Sequence, residues 1–412
     1  MRGFSFGYIY RATVLGVVLL NLVTVVTARR RKNFRDPLVI DTFQDPFSNE
    51  VGGNHGPEEG MYVEYGPGYV QLNPTDPEQV YRTQLAQDCH DLAPYEDMYL
   101  HVVFRGTDRF SLSLLQHNAG CNSDVAPFPE TWDSVEASRY AIGQDIYVPL
   151  SHFNIDLSWA HAISFDGFFL GGELILYKVE ITSHVPDNLY VPEKLPSGIL
   201  AFKCKRPNSF AFGIDDGQPQ YAQEVMQILE EEDIRVTFFT VGTGLLDESA
   251  NFTEVYREAL SRGHQVALHS HTHPRMEGLP TTEAIDHEIL MNIQVFRENL
   301  GIRSRYFRPP FGVVGARTRQ RLAALIPDPY IINWSVDIED WLWAGSPTPE
   351  KQFEAFKRDF EKGGDIAVMH YLSPTTISYF RDVFRLVKDS GKQIMRVDQC
   401  MEDPDAPPIG EY

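Results

Sequence analysis

The sequence predicts two folded units in series, an all-β sandwich or jelly roll followed by an α/β domain. Three observations carry that expectation. From about residue 36 to 183, short apolar or alternating runs are separated by turn formers, the pattern of antiparallel strands. From 199 to 402, short apolar strands alternate with segments of helical period, which points to parallel strands joined by helices. Such a sheet is either open or closed into a distorted (β/α) barrel. Between the two regimes lies a proline-bearing linker, residues 184–198, "HVPDNLYVPEKLPSG". A chain of 412 residues is long enough for each half to bury its own core.

Residues 1–28 read as a secretory signal peptide. Arg2 and Arg11 precede the apolar run "TVLGVVLLNLVTVVTA" at 13–28, which is shorter than the roughly 20 residues of a membrane span. "VTA" at 26–28 offers small residues for cleavage. The alternative is an uncleaved anchor, since the "RRRK" run at 29–32 would tend to stay cytoplasmic. The expected location is therefore secreted, extracellular or cell-wall associated, with no stable membrane insertion after cleavage. A formal charge of −21 argues against nucleic-acid binding, which needs clustered Lys and Arg. The four cysteines match no zinc-knuckle spacing, and an even count in an exported chain suggests disulfides. Of three pairings, Cys89–Cys121 within the first half and Cys204–Cys400 across the second are favoured. The sequon at Asn251 sits in a polar loop and is expected to carry a glycan. The one at Asn333 lies in an apolar run and is expected to be buried and unmodified.

In the first half, "YLHVVF" (99–104), "FSLSLL" (110–115), "DIYVPL" (145–150) and "GELILYKVEI" (172–181) are the clearest strands. "IDTF" at 40–43 and the closing "LYKVEI" resemble the outer strands of galactose-binding-like jelly rolls, many of which bind carbohydrate. That makes this half a candidate carbohydrate-binding module, with a purely structural sandwich as the alternative. In the second half, "SFAFGI" (209–214), "RVTFFTV" (235–241), "QVAL" (265–268), "PYIINWSV" (329–336) and "DIAVMH" (365–370) read as strands. Helical periods run over 221–232, 253–263, 282–301 and 376–391.

In such sheets functional residues gather where strands end. "FGIDDGQ" (212–218) places two adjacent carboxylates at one exit, able to hold different tasks; as an isolated fragment it is also an ordinary turn. "HSHTHP" (269–274) follows another strand, with His269, His271 and His273 at alternate positions. One Asp with two His suits a borderline divalent metal with open positions. Strand alternation would align all three histidines, whereas a turn would converge only the i and i+4 pair. "YFRPPFG" (306–312) fixes Arg308 beside two prolines, where a rigid guanidinium could orient a carboxylate. "VDIEDW" (336–341) supplies Asp337, Asp340 and Trp341, and His370 ends "IAVMH", where a carboxylate could keep it charged as a general acid.

Taken in order, these five pieces resemble the motifs of the polysaccharide deacetylase family, also called NodB-homology or carbohydrate esterase family 4, over about residues 205–400. The resemblance implies a distorted (β/α) barrel and a hydrolase that removes N-acetyl groups from a chitin-like polysaccharide, its partner. It implies Asp215 as general base toward a metal-bound water, and Asp216, His269 and His273 as ligands of a divalent metal, most simply Zn2+, with Co2+ or Ni2+ also fitting. Arg308 would tune the base, the N–H near Phe311 would face the oxyanion, and Trp341 would line the groove. Asp340, preferred over Asp337 because it adjoins Trp341, would orient His370 as the general acid. His271 falls where the family carries an aromatic residue, so packing is its expected role. The family's usual "TFDDGP" is "GIDDGQ" here, Phe311 stands in place of Tyr, and Tyr371 in place of Asp. A same-fold hydrolase of another amide or an O-acetyl group, or a decayed glycan-binding wall protein, are the rival readings.

Overall fold

Strands in the first half form because β-branched and aromatic residues alternate with polar ones between turn formers. The structure, a computed structural model, describes residues 36–86 and 88–410. The expected signal segment at 1–28 lies outside the described residues.

The first half contains β1 (Leu38–Asp41), β2 (His55–Glu58), β3 (Tyr62–Gly66), β4 (Tyr69–Asn73), β5 (Val80–Gln84) and β6 (Tyr99–Gly106). It continues with β7 (Ser111–Gln116), β8 (Thr131–Glu136), β9 (Ala141–Ile142), β10 (Asp145–Pro149), β11 (Ala160–Asp166) and β12 (Leu174–Thr182). They make two antiparallel sheets, one ordered β3-β4-β12-β6-β10-β9 with β1 beside β12, the other β2-β5-β11-β7-β8. Leu72, Leu100, Val102 and Leu174 of the first sheet share one buried cluster with Tyr81, Leu112, Ile163 and Phe165 of the second. That shared core makes the pair a sandwich.

The second half contains β13 (Ile199–Ala201), β14 (Ser209–Gly217), β15 (Thr237–Thr240), β16 (Gln265–Leu268) and β17 (Tyr306–Phe307). β18 (Tyr330–Ile332), β19 (Val336–Asp337), β20 (Ile366–Tyr371) and β21 (Gln393–Met395) complete it. All pair in parallel, in the order β13-β18-β17-β16-β15-β14-β20-β19, with β21 also on β14. β13 and β19 end the path, so the expected distorted barrel is an open, curled half-barrel by hydrogen bonding. On β14, Phe210, Phe212 and Ile214 face the helices. Ala211 joins the opposite cluster, so the small residues Ala211 and Gly213 leave room on that face.

The apolar run 329–336 is not one strand. It divides into β18 and β19 at separate places in the sheet, because Arg308 takes the carbonyls of Ile332 and Asn333 that a continuous ladder would have used. A helix at Ala316–Leu325 was also outside the periodic segments, since Arg317 and Arg319 occupy buried positions that an apolar stripe would fill. Both arginines serve the junction with the sandwich. Arg319 donates to the Trp132 carbonyl at 2.7 Å and pairs with buried Asp133 at 3.2 Å. Arg317 donates to the carbonyls of Glu277 and Leu279. Buried Glu277 accepts the N–H groups of Gly315, Arg317 and Thr318, and Ser111 of β7 bridges Glu277 to the N–H of Ala316. The helix's unsatisfied donors are thus capped from outside it.

Both favoured disulfides are present, Cys89–Cys121 and Cys204–Cys400, the second closing a separation of 196 residues. Asn251 is exposed at the start of the Phe252–Ser261 helix, whereas Asn333 is buried and donates to the Gly312 carbonyl. Among the described residues no helix is long and apolar enough to cross a membrane.

Candidate active site

β14 ends in a bulge: Asp215 pairs with His370 but Gly217 pairs with Tyr371, so Asp216 is the extra residue. Its φ of 21° shows the distortion. Adjacent carboxylates therefore escape strict alternation, and each reaches a different partner. The Asp215 Oδ1 accepts from the Arg308 Nη1 at 2.7 Å, and its Oδ2 lies 3.9 Å from the His269 Nε2. The Asp216 Oδ2 lies 3.2 Å from the His273 Nε2.

β16 stops at Leu268, so the histidines follow a turn rather than a strand. Ser270 and His273 adopt φ of 63° and 61°, a backbone that non-glycine residues hold only when the surroundings enforce it. The enforcing groups come from the Thr282–Val295 helix. Buried Asn292 accepts the His269 N–H, and buried Glu288 accepts those of His271 and Thr272. Sequence reasoning missed these two residues. They were legible as polar residues at i and i+4 within the apolar stripe Ile285, Ile289 and Val295.

One donor atom from each of Asp216, His269 and His273 lies within 4.8 Å of the others. The His269 Nδ1 donates to the Arg308 carbonyl at 2.7 Å, which leaves Nε2 as a lone-pair donor toward Asp216. Burial pulls the His273 imidazole below its ordinary pKa despite nearby Asp216, favouring the neutral ligand form. Two neutral imidazoles and one carboxylate at strand ends fit a divalent cation. His271 points elsewhere: its Nδ1 would be 2.6 Å from a Cβ placed on Gly242, and its ring meets His287.

Arg308 is fully buried, donating also to the carbonyls of Ile332 and Ala367 and lying 4.1 Å over the Phe239 ring. A Cβ on Gly213 would stand 2.4 Å from its Nη1, so the glycine at this place makes space for the guanidinium. Gly213→Thr is expected to displace Arg308 and lower the melting temperature by several degrees; an unchanged melting curve would show that the pair tolerates the added bulk.

His370, one residue before the end of β20, has its Nδ1 2.7 Å from the Asp340 Oδ1, and its backbone N–H donates to the Asp340 Oδ2. Asp340, rather than Asp337, thus holds the histidine. Burial alone would lower the imidazolium pKa, but Asp340, helped by Asp215 and Asp216, outweighs it and the group is pushed up to about 9. Asp337 instead accepts from Trp334, and burial pushes its carboxyl up to about 6. Phe311 sits at φ 60° after two prolines, so its N–H is the first backbone donor beyond Arg308 on this turn. Its ring is 47% exposed and packs edge-on against His273, and Trp341, also lining the cavity, is 65% exposed. Asp215, Asp216, His269, His273, Phe311, Trp341 and His370 border one cavity of about 820 Å3, with Arg308 and Asp340 behind them.

Residues 203–326 match the family model for polysaccharide deacetylase. The peptidoglycan-N-acetylglucosamine deacetylase PgdA of Listeria monocytogenes is 27% identical over 217 residues, 52% of this chain and 42% of that protein. A chitin deacetylase of a Pestalotiopsis species is 25% identical over 213 residues, 52% of this chain and 70% of that one. The chitin deacetylase structure from Colletotrichum lindemuthianum superposes with a TM-score of 0.44 at 21% identity, covering 53% of this chain and all of that one. The chain spans less than half the length of the Listeria relative.

Proposed function

We propose, for a chain that carries a polysaccharide deacetylase domain, that it is a secreted, metal-dependent hydrolase removing N-acetyl groups from a chitin-like polysaccharide. One observation carries the reading: a buried carboxylate, a two-His-one-Asp set and an Asp-held histidine converge on one cavity. Related chains named for chitin and peptidoglycan deacetylation support the same bond type.

Asp216, His269 and His273 are the residues that would hold the cation, zinc first by donor set, with cobalt or nickel also suited. Bound there, a divalent ion supplies Lewis-acid polarisation of the acetamide carbonyl and acidifies a neighbouring water. The chain's own groups do the rest. Asp215 keeps Oδ1 on Arg308 and takes the attacking water's proton at Oδ2. The Phe311 N–H faces the oxygen that becomes negative as the C–O bond forms. His370, with Nδ1 fixed by Asp340, delivers its Nε2 proton to the nitrogen as the C–N bond breaks. Acetate and a free amino sugar leave. Phe311 and Trp341, both exposed and both lining the cavity, offer aromatic surface to the sugar. Two disulfides suit an oxidising compartment, and exposed Asn251 suits a glycan.

The test is purified protein on chitin oligomers, with acetate release followed before and after chelation and on zinc return. Chelation should abolish release and zinc restore it. His269→Ala and His273→Ala should each empty the site, while His271→Ala keeps most of the metal. No release from zinc-loaded protein would sink the reading, and a site emptied by His271→Ala would overturn the ligand set.

A further inference from the structure

We propose that the outward face of the β2-β5-β11-β7-β8 sheet is the second wall of the catalytic cleft and grips sugar units of the substrate through Arg82, Ser164 and Asp166. This rests on the deacetylase reading.

Register puts the three residues together. Ser164 of β11 pairs with Arg82 of β5 on one side and Ser113 of β7 on the other, and Ser113 pairs with Ser134 of β8. Asp166, two residues on, shares that face and pairs with Ser111. In a free-standing sandwich this row would meet water. Here Ser111, Ser113, Ser134 and Ser164 are at most 3% exposed, because the face lies against the second half. Where it does not touch protein, it borders the cavity that holds Asp215, Asp216 and His370.

The wall is fixed to the histidine loop. Arg275, two residues after His273, pairs with Glu78 at 3.0 Å and lies 4.3 Å over the Phe311 ring, which in turn packs on His273. Glu277 is tied to Ser111. Sandwich and ligand loop are therefore joined by direct side-chain contacts.

The chemistry suits a carbohydrate. Arg82 uses Nη1 on Glu58, and its side chain, still 23% exposed, borders the cavity. Asp166 accepts from the Ser164 hydroxyl at 2.7 Å, and burial pushes its carboxyl up to about 7, so it can both accept from and donate to sugar hydroxyls. Val80, Leu115 and Trp132 of the same face flank these groups with apolar surface for a ring. A volume of about 820 Å3 walled on two sides is on the scale of single-ligand pockets, so it takes a short run of sugars.

Arg82→Gln and Asp166→Asn, made in the full chain, test this against binding of an N-acetylglucosamine pentamer by calorimetry and against acetate release. Each should weaken pentamer binding and raise KM about ten-fold. Bound zinc, melting temperature and kcat should stay within about two-fold or a few degrees of the parent. Unchanged affinity in both variants, or a parent protein that binds no pentamer, would overturn the proposal. Variant-sensitive binding without acetate release would keep the wall and remove the deacetylase reading instead.

Discussion

Asp215→Asn is expected to lower acetate release by roughly 10²–10⁴-fold while leaving bound zinc in place. The amide keeps an oxygen for Arg308 but cannot accept the water's proton. Asp216, His269 and His273 are untouched, so metal content separates loss of the base from loss of the site. Arg308 is wholly buried and loses its counter-charge, so the melting temperature should also fall, because a buried pair broken on one side strands the other charge. The checks are acetate release, zinc content and a melting curve on one preparation. Release within ten-fold of the parent would place the base elsewhere.

Asp340→Asn should move the alkaline limb of the pH–rate profile to lower pH and cut the rate at neutral pH. His370 must be protonated to act as acid, and Asp340 is the main group holding its pKa up, to about 9. A bound cation offsets the smaller contributions of Asp215 and Asp216, so the loaded enzyme's limb falls below that value yet above the variant's. Without Asp340, burial acts alone and the limb drops to the ordinary histidine value of about 6.5 or below. The same pair sets a stability window. A folded pKa above the unfolded one stabilises fully below pH of about 6.5, and that contribution is lost as pH rises toward about 9. The parent's melting temperature should therefore decline over that interval more steeply than the variant's. Coincident pH–rate profiles would show that His370 is not the titrating acid.

The second half was readable because its candidate site sits at strand ends, where short motifs persist in local sequence. "DDG", "HSHTH", "FRPP" and "EDW" each lie within a few residues, and β-α alternation supplied the sheet that joins them. What supports those motifs was harder to read. Glu288 and Asn292 order the histidine turn from a helix about twenty residues later, and Gly213 admits Arg308 from across the sheet. None of these has a local signature tying it to its partner. The break between β18 and β19 was hidden for the same reason, since Arg308 claims the intervening carbonyls.

By itself, the sequence determined that β7 bears Leu112 and Leu114 on one face and the small polar Ser111 and Ser113, followed by Leu115, on the other, because alternation follows from the strand's period of two. It also determined the order of the chemical groups and the cysteines available for bridging. Only the tertiary structure decided what the polar face of β7 meets. Period two distinguishes inside from outside for one sheet, but water and a second half's polar surface ask for the same residues. Ser111, Ser113 and Ser164 satisfy either, and packing alone turned that face toward the cavity bordered by Asp215, Asp216 and His370.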